Sequence, residues 1–265
     1  MDTYTIRPIA YVRSDYNEKF GIPKQAGLVD ELEQAIVFTP DFANADALRG
    51  IEGFTRIWII WGFSENAVDM TENPVKWSPT VRPPRLGGKI RKGVWATRSP
   101  YRPNSLGLSN VRLKRIMLGG RPLDDEESEG INGELALIVS GADMMDGTPV
   151  FDIKPYMPYA DSHPEESSGF SNGAVDELLE VEFPEDLLTL IDESKSRGLI
   201  KVLSLDPRPA YDKKDGNTYG LSFADWDIKF TVSGGVLTVT GIEKAGCNDR
   251  ELCKEMRDRG RRTYR

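Results

Sequence analysis

The feature that most restricts the fold is the rhythm of the first 160 or so residues. Short runs of β-forming residues are each cut off by Gly or Pro, and almost no stretch has helical period. Tyr4 to Val12 reads as a strand interrupted at Pro8, which suits an edge or a bulge. Ala35 to Phe38 predicts a short strand stopped by Pro40, and Ile57 to Phe63, with Trp58 and Trp61, predicts a strand buried on both faces. Gly93 to Thr97 and Leu106 to Leu113 alternate as strands do, and Leu135 to Val139 predicts another buried strand. One short helix is expected over Asn44 to Arg49, closed by Gly50. Many short strands without helices to cover them must bury their apolar faces against each other. This predicts a mainly β, closed or nearly closed barrel.

A Ser, Gly and Pro-rich stretch follows, and beyond it the pattern changes. Residues 1–162 are assigned to the barrel, 163–180 to a linker, and 181–265 to a small α+β domain with a charged tail. In the small domain Pro184-Glu185-Asp186 opens a helix with Leu187, Leu188 and Ile191 on its apolar face. Trp226 to Val232 and Val236 to Thr240, joined at Gly234-Gly235, predict a hairpin. No apolar run approaches the roughly 20 residues of a bilayer span, and Met1 to Thr5 has no basic or apolar leader character, so a cytoplasmic protein without a membrane partner is expected. The two cysteines, Cys247 and Cys253, and the single histidine, His163, do not form a metal-ligand pattern; no metal site is expected.

Charge is unevenly distributed. The net charge is −8, yet residues 73–123 hold twelve Lys and Arg, eight of them Arg, and no Asp or Glu. The rest of the chain carries 22 positive side chains against 42 negative. With Trp77, Trp95 and Tyr101 interleaved, the segment suits a polyanion, RNA rather than DNA, on a body that otherwise repels it. The competing reading is that strands bring acidic partners from elsewhere to these cations.

The sequence lacks a Gly-x-Gly-x-x-Gly turn after a strand, a phosphate-binding Gly-x-x-x-x-Gly-Lys-Ser/Thr loop and a Gly-x-Ser-x-Gly elbow. Nucleotide-dependent Rossmann chemistry, kinase chemistry and serine hydrolysis are therefore unsupported. Three patches remain. Glu18 to Gly27 sets Gln25, an amide that both donates and accepts, between Pro23 and Gly27. Ala96 to Ser109 mounts Arg98 and Arg102 on a turn stiffened by Pro100 and Pro103, suited to bidentate capture of a carboxylate or phosphate. Ser140 to Val150 ends a buried strand in small residues and Asp143, then turns at Gly147-Thr148-Pro149.

Together these patches carry a resemblance. Pro23-Lys24-Gln25-Ala26-Gly27, Ala47 to Glu52, Arg82-Pro83-Pro84-Arg85-Leu86-Gly87-Gly88, Ala96-Thr97-Arg98-Ser99, Arg102-Pro103-Asn104, Asp146 to Tyr156 and Asp206 to Tyr211 strongly resemble the TrmO family, also called TsaA-like or YaeB-like. These are tRNA N6-threonylcarbamoyladenosine methyltransferases. The resemblance implies a non-Rossmann β-barrel that binds S-adenosylmethionine, works as a homodimer, and methylates N6 of the modified adenosine at position 37, beside the anticodon. By matching motif, the cofactor pocket is expected at Gln25, Ala26, Gly27, Phe63, Ser64, Arg98, Leu108, Ser140, Gly141, Ala142 and Asp143. Family members often have His where Ser64 stands, a change that a backbone contact would survive and an imidazole contact would not.

The residue chemistry suits that assignment. Arg98 matches the methionyl carboxylate of the cofactor, and Asp143 a ribose hydroxyl or the amino group. Arg82, Arg85, Tyr101, Arg102, Asn104, Asp146 and Lys154 are candidate substrate contacts, with cations from Arg82 to Arg115 facing phosphates of the tRNA anticodon stem-loop and Tyr101 or Trp77 stacking on a base. Asp146, Asp152 and Tyr101 are candidate bases, and no single one is assigned. Two other readings stay open at this point: methyl transfer to another RNA or a small molecule, and a non-catalytic RNA-binding or regulatory module on the same barrel.

Overall fold

The computed structural model describes residues 4–64, 77–83, 86, 88–123, 133–172, 178–209 and 213–245. Six antiparallel strands form a closed ring: β1 (Ala10–Arg13), β2 (Glu33–Phe38), β3 (Arg56–Gly62), β4 (Leu106–Leu118), β5 (Leu135–Ser140) and β6 (Pro149–Pro155). The order around the ring is β3-β6-β1-β2-β5-β4, and β4 pairs back onto β3 to close it. The closing strand is long for a reason. Leu106–Arg112 pairs with β3, and Arg112–Leu118 pairs with β5 across a register shift between Leu113 and Arg115. That bulge bends one strand so that it serves both neighbours, and a closed ring leaves no long edge to be protected.

The barrel core is Ala10, Val12, Ile36, Ile57, Ile59, Val111, Leu137, Val139, Met144 and Val150, each nearly devoid of solvent contact. Four expectations are corrected here. The strand read from Tyr4 begins only at Ala10, past Pro8, which offers no N–H to a ladder. β3 is not buried on both faces: Ile57, Ile59 and Trp61 face the core, whereas Trp58 and Ile60 are half-buried on the outside. The alternation of a barrel wall, apolar inward and mixed outward, explains this. Gly93 to Thr97 is not a strand; after a two-residue bridge at Lys92–Gly93, Val94–Ala96 forms a 3-10 turn, capped where Thr97 Oγ1 donates to Val94 O at 2.8 Å. The short helix expected at Asn44 to Arg49 is a 3-10 turn over Ala45–Leu48, with the Asn44 side chain accepting from Asp46 N at 2.9 Å.

The C-terminal unit is a four-stranded sheet under one helix. β7 (Glu180–Glu182) runs parallel to β10 (Val236–Lys244), which pairs with β9 (Trp226–Ser233), which pairs with β8 (Thr218–Phe223). The expected hairpin is β9–β10. Three elements of this unit went unread in the sequence: β7, which starts at the end of the assigned linker, β8 and that helix. α1 (Glu193–Ser204) starts where Asp192 accepts from Ser194 N at 2.8 Å and buries Leu199, Val202 and Leu203 on the sheet. β8 forms the sheet edge facing the barrel. The expected helix at Pro184 is a single turn, Glu185–Leu188. The charged tail and both cysteines lie outside the described residues, and no described helix is long and apolar enough to cross a membrane.

The loop from Ser14 to Leu32, between β1 and β2, joins the two units. Tyr16, Val29 and Leu32 are buried in the core of the C-terminal unit rather than that of the barrel. Tyr16 bridges to Phe223 as an isolated β-pair and meets its ring edge-on at 6.3 Å.

Candidate active site

The candidate site is built where three chain segments meet at one end of the barrel. The first is the exit of β5. Gly141 follows Ser140 with φ +75, a left-handed turn that a side chain rarely adopts, and a Cβ there would collide with the Asp30 carboxylate. The turn aims Gly141 O at the second segment, the Gln25–Gly27 crest of the loop, where Gly27 N donates to it at 2.8 Å. Gln34 Nε2 donates to Ala142 O at 3.2 Å, which fixes the next peptide.

Asp143 is the electrostatic centre. Ser109 Oγ, 2% exposed on the inner face of β4, donates to Asp143 Oδ1 at 2.5 Å. Ser109 Oγ in turn accepts from Trp61 Nε1 at 2.9 Å. Burial pushes the Asp143 carboxyl above the ordinary carboxylate range; the Ser109 bond, backbone N–H donors including that of Ala26, and the charge of Arg98 hold it back. The carboxyl is therefore a strong acceptor within reach of both the loop crest and the arginine.

The third segment is the loop from Val94 to Ser105. It is stitched to itself: Ser99 N donates to Thr97 Oγ1 at 3.3 Å, Arg102 N to Pro100 O at 2.8 Å, and Ser105 N to Arg102 O at 3.0 Å. From this rigid loop the exposed Arg98 donates through Nη1 to Gln25 Oε1. Gln25, Ala26, Gly27, Arg98, Gly141 and Asp143 are thus brought together by direct contacts. Phe63 joins them through the loop's other end, its N–H donating to Ser105 O at 2.8 Å and its ring 4.3 Å from that of Trp61. Gly107 permits that packing, since a Cβ there would overlap the Trp61 indole. Ser140 Oγ is buried without a hydrogen-bond partner at the β5 exit. Leu108, 58% exposed, lies on the outer face of β4 opposite Ile60, and Ser64 is exposed beyond Phe63.

The candidate substrate residues divide. Asn104 and Arg102 line, with Trp95, Pro103 and Leu106, a concavity of about 300 Å³; Tyr101 is 57% and Trp95 71% exposed beside it. Trp77 and Trp95 form a ring pair at 5.1 Å. Arg82 is exposed, and Arg85 lies outside the described residues. Asp146 faces a different place, the cleft between the two units, and accepts from Ser14 N at 3.2 Å. Lys154 pairs with Asp152 at 3.4 Å on the wall of β6. Arg115 behaves as the competing charge reading expected: it makes two bonds, 2.7 and 2.9 Å, to Glu33. Sequence reasoning missed Ser109 as the partner of Asp143 and Trp61 as the donor to Ser109; the only available signal was a lone Ser on a strand between Leu108 and Asn110. The Asp206 motif is a structural knot, with the carboxylate held by Arg208 at 2.8 Å and Lys213 at 2.7 Å.

Comparison with known proteins places this geometry in a family. The model of the tRNA-methyltransferase O N-terminal domain matches residues 11–162, and that of the TrmO C-terminal domain matches residues 176–245. The tRNA (adenine(37)-N6)-methyltransferase of Escherichia coli is 36% identical over 251 residues, 92% of this chain and 99% of that one. A Pseudomonas aeruginosa protein named as an S-adenosylmethionine-dependent methyltransferase is 36% identical over 85% of this chain and 91% of its own length. The crystal structure of TrmO from Pseudomonas aeruginosa superposes with a TM-score of 0.65 at 30% identity, covering 92% of this chain and all of that one. Both family models match in chain order, and these two bacterial relatives align over nearly their full length, so the chain belongs to the TrmO family of tRNA methyltransferases.

Proposed function

We propose that the chain is an S-adenosylmethionine-dependent methyltransferase that methylates N6 of threonylcarbamoyladenosine at position 37 of tRNA, acting as a cytoplasmic homodimer. The observation that carries this reading is the junction of Gln25, Ala26, Arg98, Gly141 and Asp143 beside an aromatic surface whose described residues, from Trp77 to Leu123, include no carboxylate.

The donor set fits the cofactor. An arginine suits its carboxylate, a buried carboxyl suits its amino group or ribose hydroxyls, and the orphaned Ser140 hydroxyl at the β5 exit marks unmet hydrogen-bonding capacity. Bound there, S-adenosylmethionine supplies an electrophilic methyl group on a sulfonium. The protein's work is then alignment, because an in-line displacement gains most of its acceleration from holding donor and acceptor together. Arg98 and Gln25 hold each other across the mouth, Asp143 holds the polar end, and the Trp61–Ser109 chain keeps Asp143 from turning. The self-stitched loop at residues 94–105 presents Trp95 and Tyr101 to a splayed anticodon-loop base, with Arg102 available to its phosphates. Asp152 is engaged by Lys154, and Asp146 accepts Ser14 N–H in the inter-unit cleft; Tyr101 is the candidate base that shares the Arg98 loop.

The test is direct. Purified protein incubated with S-adenosylmethionine and tRNA bearing threonylcarbamoyladenosine should convert that nucleoside to its N6-methyl form, read by nucleoside mass spectrometry. Failure to methylate, together with no calorimetric binding at millimolar cofactor, overturns the reading.

A further inference from the structure

None of the candidate pocket residues belongs to the C-terminal unit, yet the loop that carries Gln25, Ala26 and Gly27 is held by it. From the loop, Tyr16, Val29 and Leu32 enter the core of that unit beside Leu199, Leu221 and Phe223. The polar contacts run the same way. Ala224 N donates to Asp15 O at 2.9 Å, Asn17 Nδ2 to Ala224 O at 2.7 Å and to Ser222 Oγ at 3.3 Å, and Ser222 N to Glu18 Oε1 at 3.0 Å. Lys195 of α1 pairs with Asp15 at 2.6 Å. Two glycines mark how close the approach is. Gly21, at φ +83, lies where a Cβ would overlap Leu221, and Gly198 inside α1 lies where a Cβ would overlap Leu32. On its other side the same loop meets the pocket, through Gln25 to Arg98, Ala26 to Asp143 and Gly27 to Gly141.

We infer that the C-terminal unit sets the affinity of the cofactor site by clamping the Ser14–Leu32 loop in its pocket-forming conformation, with Gly198 and Leu32 as positioning residues. The inference rests on the assignment of S-adenosylmethionine to this pocket. Its physics is a population shift: apparent affinity falls by the fraction of molecules in which the loop is in place. Linkage makes the effect reciprocal, so cofactor must also tighten the docking of the C-terminal unit.

Gly198→Ala separates this role from simple folding, because alanine suits a helix interior better than glycine while the new methyl displaces Leu32. Calorimetry with S-adenosylmethionine on the full chain, well below the unfolding temperature, should show affinity reduced about tenfold with helix content retained. In a Leu32→Ala background, where the methyl has room, adding Gly198→Ala should change nothing further. In the parent protein, cofactor should slow amide exchange over Thr218–Phe223. Lys229→Ala, on the far hairpin, should bind as the parent does. If Gly198→Ala fails to fold, Asn17→Ala carries the test, since it removes two hydrogen bonds and little apolar contact; its expected loss is about threefold. Parental affinity in the folded variant, or exchange over Thr218–Phe223 indifferent to cofactor, overturns the inference. Arg98→Ala distinguishes the two levels. If it binds cofactor as the parent does, the pocket assignment itself fails; if it loses cofactor while the clamp variants do not, only the clamp fails.

Discussion

Replacing Ser109 by Ala removes the middle of a three-member chain, and the structure assigns a separate consequence to each end. Trp61 is 7% exposed, so its indole N–H, now 2.9 Å from Ser109 Oγ, would be left without an acceptor. An orphaned buried donor costs about 1–3 kcal/mol, independent of pH over the working range. At the other end Asp143 loses a 2.5 Å donor. A hydrogen bond to an ionised group is worth about 1.5–3 kcal/mol, but only while the carboxyl is ionised. Burial already raises this carboxyl in the folded state, so its contribution to stability is greatest at low pH. That contribution is lost as pH rises from the unfolded value of about 3.9 through the folded one. Losing Ser109 raises the folded value further and deepens the loss at high pH. Because the two bonds share one hydroxyl their costs do not simply add. The expected destabilisation is about 3 kcal/mol where the folded carboxyl is ionised and about 1.5 kcal/mol where it is protonated. Urea unfolding followed by tryptophan fluorescence across a pH series measures it. A cost that does not rise with pH anywhere in the series would refute the role given to Asp143, and a cost below about 0.5 kcal/mol throughout would refute the chain altogether.

Three further outcomes follow from the same geometry. Gly107→Ala should destabilise the barrel by about 1–3 kcal/mol through the clash with the Trp61 indole, read as a lowered thermal midpoint; an unchanged midpoint would mean that the indole moves freely. Arg98→Ala should lower cofactor affinity at least about tenfold, the loss of one charge-assisted bond, while leaving the unfolding midpoint unchanged because the guanidinium is exposed. Trp95→Ala should weaken tRNA binding by about 1–3 kcal/mol, the value of one base stack, with cofactor affinity retained; filter binding at several salt concentrations reports both the loss and its persistence, and parental tRNA affinity would remove Trp95 from the interface.

Much of this architecture could be read from the residues, and the failures have physical causes. The barrel strands announced themselves because β-branched and aromatic runs between Gly and Pro have few other fates, as at Ile57 to Gly62 and Leu135 to Val139. Val94–Ala96 did not, because three alternating residues suit a strand and a tight turn equally until Thr97 caps one of them. α1 was hidden by Gly198 at its centre and by a polar first turn, although Leu199, Val202 and Leu203 carry the helical period. β6 was masked by prolines at both ends. At the site, family motifs pointed to Gln25, Arg98 and Asp143 because each sits in an unusual run. Ser109 and Tyr16 sit in ordinary ones, and their partners, Asp143 and Phe223, are remote in sequence. Only the folded chain relates them.

The closure of the barrel also sets a timetable for making the protein. β3 carries the Ile57–Trp61 run of five apolar residues, and its two partners are β4 and β6, the latter reaching Pro155 opposite Ile57. A ribosome adds about 5–20 residues per second, so the Ile57–Trp61 run must wait roughly five to twenty seconds for its second neighbour to be synthesised. During that interval one side of it is an unpaired sticky edge. Overexpression without chaperone capacity should therefore fail by aggregation of nascent chains whose synthesis has reached between Leu118 and Pro155.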